Sequence, residues 1–411
     1  MTSEFYSNNR KRLMEKLAEG SAVLLYSGIA PIKSHDQHMC PFSVERNFYY
    51  MTGIDTQNVW LLMIKTAART METLFIDEPD EHTIKWNGKM LTKEEATERS
   101  GIKNICFMQD FEARLASIAG YRATDVYFAF DRLSMNAAPT RSEELARSLR
   151  EKFPMLQIKN ICGEIASLRS VKTPEELDCL RKAGDVTIEA LKHMLRTARP
   201  GEYEYQWQAD YEYYVARSGL RHGFETIAAS GKNAVMLHYS DNNCVARDGD
   251  LLLVDLGAEY KYYSADISRT FPINGKFTDR QKELFTIVRE AMEVAKEKMR
   301  PGIETRESNQ AVVDFYKKAL RTAKLISDDS DVSKYYYHGV SHSLGLDTHD
   351  PCDRKVYEPG MVITCEPGLY VAEEGIGIRL EDDILVTEGA AEDLVGDRLL
   401  KIEEIEELMA R

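Results

Sequence analysis

Residues 174 to 411 carry an internal repeat, and this repeat constrains the fold more than any other feature of the sequence. Each copy opens with a helix whose first turn is capped by a threonine, Thr173 in the first copy and Thr278 in the second. Each of these helices stops at the same tripeptide, Arg-Pro-Gly at 199–201 and at 300–302, and a second helical stretch follows. Two copies of one helix-helix-strand unit predict a domain with pseudo-twofold symmetry.

In each copy the helices are followed by an apolar strand that ends in an acidic residue. GDLLLVD places Asp255 six positions after Gly249, and GMVITCE places Glu366 six positions after Gly360. A pseudo-twofold domain would set these equivalent strands side by side at its centre. An ionised carboxylate at the end of a buried strand is costly to desolvate without a partner, so both acids are candidates for one shared site.

Each copy supplies a second acid where the chain is predicted to return as a hairpin. Asp266 follows a predicted turn at 257–261, and Glu381 follows a predicted turn around 373–375. Any one of these acids alone is more often a solvated strand end. Four carboxylates that converge raise each other's pKa, however, and they remain ionised together only if cations compensate their charge. The repeated pattern therefore predicts a dinuclear site for divalent metal ions.

A histidine-rich stretch supplies the other ligand type that such a site needs. HGVSHSLGLDTHD, residues 338 to 350, contains three of the nine histidines of the chain beside two aspartates. An isolated histidine in such a stretch commonly lies in a polar surface loop. Imidazole and carboxylate together suit divalent metal ions, and His342, at the centre of SHSLG, is the best-placed imidazole.

The first part of the chain has a different pattern, in which short β-rich runs alternate with helical periods such as 142–152. The strand signal ends near 162–172, before the helix that opens the repeat. We therefore predict two domains, an α/β domain over residues 1–165 and the repeat domain over residues 166–411. The predicted strands of the first domain are 22–28, 47–53, 59–64, 73–77, 126–130 and 156–161.

The composition excludes several classes of protein. A formal net charge of −14 over 411 residues argues against a nucleic-acid-binding surface. The apolar runs are far shorter than the roughly 20 residues of a membrane helix, and the first residues lack the apolar core of a secretory signal. Seven scattered cysteines without a CxxC pair predict free thiols in a reducing compartment. These features favour a cytoplasmic protein that interacts with neither nucleic acid nor membranes.

The C-terminal half resembles the pita-bread metallopeptidases, the group that contains aminopeptidase P, prolidase and methionine aminopeptidase. The segments that carry the resemblance are VDLG, SADISRTF, HGVSHSLGLDTHD, EPGLY and RLED. The resemblance implies five metal ligands, one in each segment: Asp255, Asp266, His342, Glu366 and Glu381. It also implies that His238 in LHYSDN and His349 in LDTHD contact the substrate and the reacting centre.

The first half, with ERNFYYMTGID and WNG, resembles the N-terminal domain that aminopeptidase P, prolidase and creatinase share. The implied fold class is α+β, with a creatinase-like α/β N-terminal domain followed by a pseudo-twofold pita-bread catalytic domain. One segment departs from the family, because residues 34–46 lack the aspartate, aromatic and glutamine pattern that precedes NFYY there.

The resemblance implies an Xaa-Pro aminopeptidase, which removes the first residue from peptides with proline at the second position. Two divalent metal ions per chain, usually manganese in this family, would lower the pKa of a bridging water. Glu366 would relay the proton, while His238 and His349 would steady the substrate and the tetrahedral intermediate. Arg379 would orient the carboxylates, unless it is an ordinary surface arginine. A homo-oligomer, dimer or tetramer, is also implied.

Three alternatives remain open. An Xaa-Pro dipeptidase (prolidase) would need a fixed cation for the free carboxylate of proline, and Arg354 and Lys355 are candidates, although they lie among acidic residues. A catalytically silent pita-bread module would bind a protein partner, but the intact ligand set disfavours it. A creatinase-type amidinohydrolase needs no metal and is the least favoured.

Overall fold

The computed structural model describes residues 1–35, 40–132 and 134–410. The chain divides into two compact units, Met1–Leu168 and Arg169–Arg411. The divergent segment predicted at 34–46 is only partly described, because residues 36–39 lie outside the described ranges. Among the residues with described structure, no helix is both long and apolar enough to cross a lipid bilayer.

The first unit contains a mixed six-stranded sheet surrounded by short helices. Its strands are β1 Ser21–Tyr26, β2 Trp60–Lys65, β3 Thr70–Ile76, β4 Ile105–Phe107, β5 Asp125–Phe128 and β6 Gln157–Asn160. Its helices are α1 Ser3–Glu15, α2 Arg46–Thr52, α3 Glu81–Asn87, α4 Lys93–Ser100, α5 Phe111–Tyr121 and α6 Arg141–Lys152, and α7 Cys162–Arg169 follows. The strand order is β4-β3-β2-β1-β5-β6.

Alternating apolar residues of this sheet bury one face against α5. The Trp60 ring stacks on Phe111 at 5.3 Å between centroids, and Phe75 meets the same ring edge-on at 5.1 Å. Each of these side chains is at most 7% exposed. Aromatic contacts of this kind add to the free energy that burial of the apolar area already supplies.

The strand predicted at 47–53 is wrong, because this stretch forms helix α2. The Glu45 carboxylate caps the helix, accepting hydrogen bonds from the amides of Asn47 and Phe48 at 3.0 and 2.6 Å. Gly53 ends it in the left-handed conformation (φ 66°), where an added Cβ would meet the Tyr6 ring at 2.2 Å. The aromatic residues that suggested a strand are instead buried helix residues, so tertiary packing overrides their β propensity.

The second unit contains the repeat. Its helices are α8 Pro174–Thr197, α9 Glu204–Arg217, α10 Asp279–Lys296, α11 Thr305–Thr322, α12 Val332–Tyr335 and α13 Ile402–Met409. Its first strands are β7 Arg221–His222, β8 Ile227–Ser230, β9 Leu251–Leu256, β10 Ala258–Tyr260, β11 Tyr263–Ser264 and β12 Ile267–Pro272. The later strands are β13 Val362–Cys365, β14 Gly368–Val371, β15 Ile376–Arg379, β16 Asp382–Leu385 and β17 Glu392–Asp393.

The first helix of each copy starts as predicted. The Thr173 hydroxyl accepts from the Glu176 amide while the Glu176 carboxylate accepts from the Thr173 amide, and Thr278 and Gln281 form the same reciprocal pair. Such a capping box satisfies two backbone donors that a helix end would otherwise leave unpaired. The threonines at these two positions therefore fix where α8 and α10 begin.

The two copies also attach their second helix in the same way. Tyr203, just before α9, forms an isolated β-bridge with Val245, and Glu304, just before α11, forms one with Val356. Val245 and Val356 each lie four positions before the glycine that precedes the acidic strand. These bridges identify equivalent positions in the two copies.

The hairpin between Asp255 and Asp266 differs from the predicted turn at 257–261. Residues Ala258–Tyr260 form a strand instead, and the chain reverses at Lys261 and Tyr262, which have φ values of 52° and 67°. Gly257 lies against the returning chain and only glycine fits there, because an added Cβ would lie 1.8 Å from the Ala265 carbonyl oxygen. The strands thus continue past the acid before they turn.

Candidate metal centre

Two hairpins bring the four predicted carboxylates together. In the first, β9 pairs antiparallel with β12 so that Asp255 stands opposite Ser268. In the second, Glu366 follows β13 and Glu381 precedes β16, and β13 pairs with β16. The Glu381 amide donates to the Ser268 carbonyl oxygen at 3.0 Å and so joins the two hairpins. Backbone pairing, rather than the side chains themselves, therefore holds the acids in one place.

The predicted site residues line one cavity of about 300 Å³. It is lined by all five predicted ligands and by the two further predicted histidines, namely Asp255, Asp266, His342, Glu366, Glu381, His238 and His349. The structure therefore separates none of the predicted site residues from the others. Arg379 and His338 line the same cavity.

Asp266, His342 and Glu381 form the most compact group of possible ligands. One ligand atom from each lies within 4.8 Å of the others, and His342 Nε2 is 3.4 Å from Asp266 Oδ2 and 3.6 Å from Glu366 Oε1. His342 Nδ1 lies 3.1 Å from the Ser343 carbonyl oxygen. A carbonyl can only accept, so Nδ1 carries the proton, and the lone pair of Nε2, beside the carboxylates, is available to a metal ion.

The electrostatics of the cavity favour a bound cation. Burial, and then the charges of neighbouring acids, raise the pKa values of Asp266 and Glu381 well above the ordinary range. Burial likewise raises the pKa of Glu366 to about 7 and lowers the pKa of His342 to about 4. The imidazole is thus neutral at pH 7, which is the form that binds metal. The raised pKa values of the carboxylates show that the protein supplies too little positive charge to keep them ionised, and a bound cation would supply it.

An unpaired oxygen supports the same interpretation. Asp255 Oδ2 accepts from Arg379 Nη2 at 2.6 Å, but Oδ1 is buried and has no hydrogen-bond partner among the described residues. Buried polar atoms are almost always paired, so this oxygen requires a partner that the protein does not supply. The oxygen and nitrogen donors around it suit a divalent ion such as manganese or zinc, and the residues present therefore fit a metal.

Arg379 is a buried part of the site and not a surface arginine. Its Nη2 contacts Asp255, and its Nε donates to Ser268 Oγ at 2.8 Å. Ser268 Oγ in turn donates to Glu381 Oε2 at 2.7 Å. Arg379 is 3% exposed, so this network fixes the orientation of one carboxylate from each hairpin.

The histidines of the cavity differ in what they contact. The His349 ring lies 4.2 Å from the His342 ring between centroids, in an edge-on arrangement, and its residue is exposed. His238 is also exposed on the cavity. Both side chains can therefore reach a molecule bound there. His222-Gly223 follows the helices of the first copy as His338-Gly339 follows those of the second, but His222 is exposed on β7 and is not among the residues that line the cavity.

Sequence reasoning missed His338 as a site residue. Its Nε2 is 2.8 Å from the Tyr370 hydroxyl, and its Nδ1 is 3.7 Å from Glu366 Oε2. His338 lies four positions before His342, within the histidine-rich stretch, and this position was the available signal.

The two basic residues after His349 are not equivalent. Arg354 Nη1 contacts Glu358 Oε1 at 2.5 Å and lines a second cavity of about 400 Å³ that also reaches His342. Lys355 is exposed. Neither residue lines the cavity of the carboxylates.

We expect metal binding to release protons and to strengthen as the pH rises. Glu366 has a folded-state pKa of about 7, and the pKa values of Asp266 and Glu381 are raised too, so the metal-free site holds protons at neutral pH. A divalent ion must displace these protons, and its affinity therefore increases through pH 7. Calorimetric titration at pH 6 and pH 8, in buffers of different ionisation enthalpy, measures both effects. Equal affinity at the two pH values without proton release would contradict this assignment.

Comparison with known proteins identifies the family. Residues 178–388 match Metallopeptidase family M24, and residues 6–127 match the aminopeptidase P, N-terminal domain. The chain is 33% identical to the Xaa-Pro aminopeptidase of Escherichia coli K12, over 98% of this chain and 97% of that protein. The chain belongs to metallopeptidase family M24. The resemblance predicted from its sequence motifs is thereby confirmed.

Solved structures of M24 proteins share the fold over the whole chain. A Bacillus anthracis protein solved as a candidate aminopeptidase P has a TM-score of 0.97 at 42% identity and covers 100% of this chain and 98% of that chain. Zinc-substituted E. coli aminopeptidase P in complex with product has a TM-score of 0.92 at 32% identity, with the same coverage. The predicted fold class, an aminopeptidase P-type N-terminal domain followed by the M24 catalytic domain, is also confirmed.

Proposed function

We propose that this M24 protein is a metal-dependent Xaa-Pro aminopeptidase, acting on peptides whose second residue is proline. One observation carries the proposal: carboxylates from two hairpins and the His342 imidazole line a single cavity. The chain that builds this cavity is similar along nearly its whole length to proteins named Xaa-Pro aminopeptidase. We retain residues 1–165 as the N-terminal domain and 166–411 as the catalytic domain.

We propose that the cavity holds two divalent ions, manganese in the active enzyme. The residues to hold them are Asp255, Asp266, His342, Glu366 and Glu381. When bound, such ions supply Lewis-acid chemistry and lower the pKa of a water molecule, so that a nucleophile is available at neutral pH. The unpaired Asp255 Oδ1 and the raised carboxylate pKa values support this proposal.

The remaining steps are assigned to side chains of the chain itself. A carboxylate oxygen of Glu366 accepts the proton of the attacking water and passes it to the nitrogen of the departing peptide. His349 and His238, exposed on the cavity, donate hydrogen bonds to the oxygen of the scissile carbonyl and to the bound peptide.

The prolidase alternative receives less support from the basic residues. A dipeptidase must bind the free carboxylate of proline with a fixed cation. Arg354 is already paired with Glu358, and Lys355 is exposed. The silent-module alternative is disfavoured because the complete donor set lines one cavity. We further propose a cytoplasmic location and a homo-oligomer, dimer or tetramer.

Substrate length separates the two peptidase activities. We expect Xaa-Pro-Yaa tripeptides to be cleaved with a kcat/KM at least comparable to that of Xaa-Pro dipeptides, because neither Arg354 nor Lys355 lines the cavity to bind the free carboxylate of proline. We expect no cleavage of N-acetylated peptides, because the cavity carboxylates bind a free amine. Measuring kcat/KM for one dipeptide, its extended form and its acetylated form tests this. A strict preference for the dipeptide would make the protein a prolidase.

A further inference from the structure

Glu204, in the first turn of α9, is a buried carboxylate bound only by neutral groups in the described part of the chain. It is 0% exposed. Its donors are the Ser230 amide (2.7 Å), Ser230 Oγ (2.6 Å), Asn233 Nδ2 (3.0 Å), the Tyr239 hydroxyl (2.7 Å) and the Cys244 amide (2.9 Å). Five donors occupy essentially the whole accepting capacity of a carboxylate. A network this complete compensates the cost of burying the charge and defines one geometry.

The groups that bind Glu204 all belong to the segment that carries His238. This segment, residues 230–244, begins at the last residue of β8, forms most of the connection to β9, and contains one short 3-10 helix, Gly231–Val235. Ser230 still pairs with Leu252 of β9, but the backbone from 236 to 244 belongs to no strand or helix, and Glu204 contacts the segment near both ends and beside His238. Tyr239 is 8% exposed and points inward to Glu204, whereas His238 is exposed on the metal cavity.

The second copy of the repeat anchors His349 at the equivalent position. His238 lies seven positions before Val245, and His349 lies seven positions before Val356, the two valines that form the equivalent bridges. Both histidines are exposed on the cavity, and the residue after each, Tyr239 or Asp350, is buried. The two copies therefore share an exposed histidine followed by a buried residue that is bonded inside the protein. We call this buried residue, Tyr239 or Asp350, the anchor.

The partners of the two anchors differ in charge. Asp350 accepts from Arg169 Nη2 at 2.6 Å and from Lys172 Nζ at 3.1 Å, and both cations are buried. Tyr239 instead donates to the Glu204 carboxylate. The anchor is held by buried cations in one copy and by a carboxylate in the other, yet the histidine before it is exposed on the cavity in both. We infer that the position of this histidine is what both sets of bonds maintain.

We propose that Glu204 is a positioning residue for the reaction, which acts through the 230–244 segment to hold His238 against the substrate. The inference rests on the proposed function, because it assumes that His238 contacts a bound peptide. Glu204 itself lines no part of the cavity. Displacing a reacting or orienting group by about 1 Å can lower a rate by about 10²-fold, and this is the effect that Glu204 prevents.

The test is a double-mutant cycle in the full-length, metal-loaded protein. Glu204→Gln keeps the side-chain volume but places an NH2 group against donors such as the Cys244 amide. We expect kcat to fall by about 10- to 100-fold with metal content unchanged. In a His238→Ala background the same substitution should cost less than about threefold, because the residue through which it acts is gone. Equal losses in both backgrounds would mean that Glu204 is merely structural.

Two further variants complete the test, one as a control and one as a substitute for Glu204→Gln. Asp210→Asn, on the same helix but bound to Thr197, should leave kcat unchanged. Tyr239→Phe removes one of the five donors and should lower kcat by a smaller factor than Glu204→Gln, so it replaces that variant if Glu204→Gln does not fold. If Tyr239→Phe then has no effect on kcat in the presence of His238, the proposal is overturned.

A readout without catalysis separates this inference from the proposed function. With zinc, which is diamagnetic, as the divalent ion, the ring resonances of His238 can be assigned by their loss in His238→Ala. We expect them to shift or broaden in Glu204→Gln and to stay unchanged in Asp210→Asn. Absence of peptidase activity in the wild-type protein would refute the proposed function, whereas unperturbed His238 resonances in Glu204→Gln would refute the positioning role.

Discussion

Replacing Glu381 with glutamine should lower kcat/KM by roughly 10³-fold or more, a loss at the upper end of those seen when one electrostatic stabiliser of a transition state is removed. Glu381 is 2% exposed and belongs, with Asp266 and His342, to the most compact ligand group. Glutamine keeps the shape and can still accept from Ser268 Oγ, but it lacks the negative charge that a divalent ion requires. Asp266→Asn should have a similar effect. Steady-state kinetics and elemental analysis of the purified variants measure both losses.

A second measurement, the unfolding temperature of the metal-free protein, distinguishes loss of a metal ligand from loss of the fold. Burial and neighbouring charges raise the pKa of Glu381, so its ionised form destabilises the metal-free fold at neutral pH. Metal-free Glu381→Gln should therefore unfold at the same or a higher temperature than the metal-free wild type. Glu373→Gln, in the exposed turn of the same hairpin, is the matched control and should keep normal activity. A Glu381→Gln protein with full metal content and activity would refute the ligand assignment.

Replacing His349 with alanine should lower kcat by about 10²- to 10⁴-fold while both metal ions remain bound, as expected for a general acid or an oxyanion donor. Its ring is adjacent to the His342 ring but lies outside the compact ligand group. It is exposed on the cavity, so its removal leaves no buried void. Kinetics and metal analysis on the same sample distinguish this role from that of a ligand.

The control for His349→Ala is His222→Ala, because His222 is exposed on β7 and does not line the cavity. It should keep the activity of the wild type. If His349→Ala loses metal together with activity, His349 is a ligand. If it keeps both metals and near-normal turnover, its role in the reaction is wrong.

The parts of the fold that the sequence predicted are those specified by local chemistry. The capping threonines at 173 and 278 and the Arg-Pro-Gly tripeptides mark helix ends through short-range hydrogen bonds and restricted dihedrals. Carboxylates at the ends of apolar strands were expected to meet, because hairpin pairing brings such ends together. The cavity contains all of these acids.

The parts that the sequence did not predict depend on contacts between distant residues. The stretch at 47–53 is rich in aromatic residues, which is typical of a strand, but it forms a helix that Glu45 and Gly53 cap. Arg379 could equally have been a surface residue, and only its contacts with Asp255 and Ser268 reveal its burial.

Glu204 is a clearer example of the same limit. The groups that donate hydrogen bonds to its carboxylate lie 26 to 40 residues away in the chain, so no local sequence pattern indicates them. In the sequence it is an ordinary acid in the first turn of a helix, where acidic residues are common. Its part in placing His238 follows only from the folded segment around it.

The central claim is tested most directly by one assay that combines metal content with the identity of the second residue. Chelator-treated protein is titrated with manganese, and cleavage of an Xaa-Pro-Yaa peptide and its Xaa-Ala-Yaa counterpart is followed by mass spectrometry. We predict no cleavage without metal, activity that saturates near two ions per chain, and release of only the first residue from the proline peptide. Full activity with trace metal, or equal cleavage of the alanine peptide, would contradict the account.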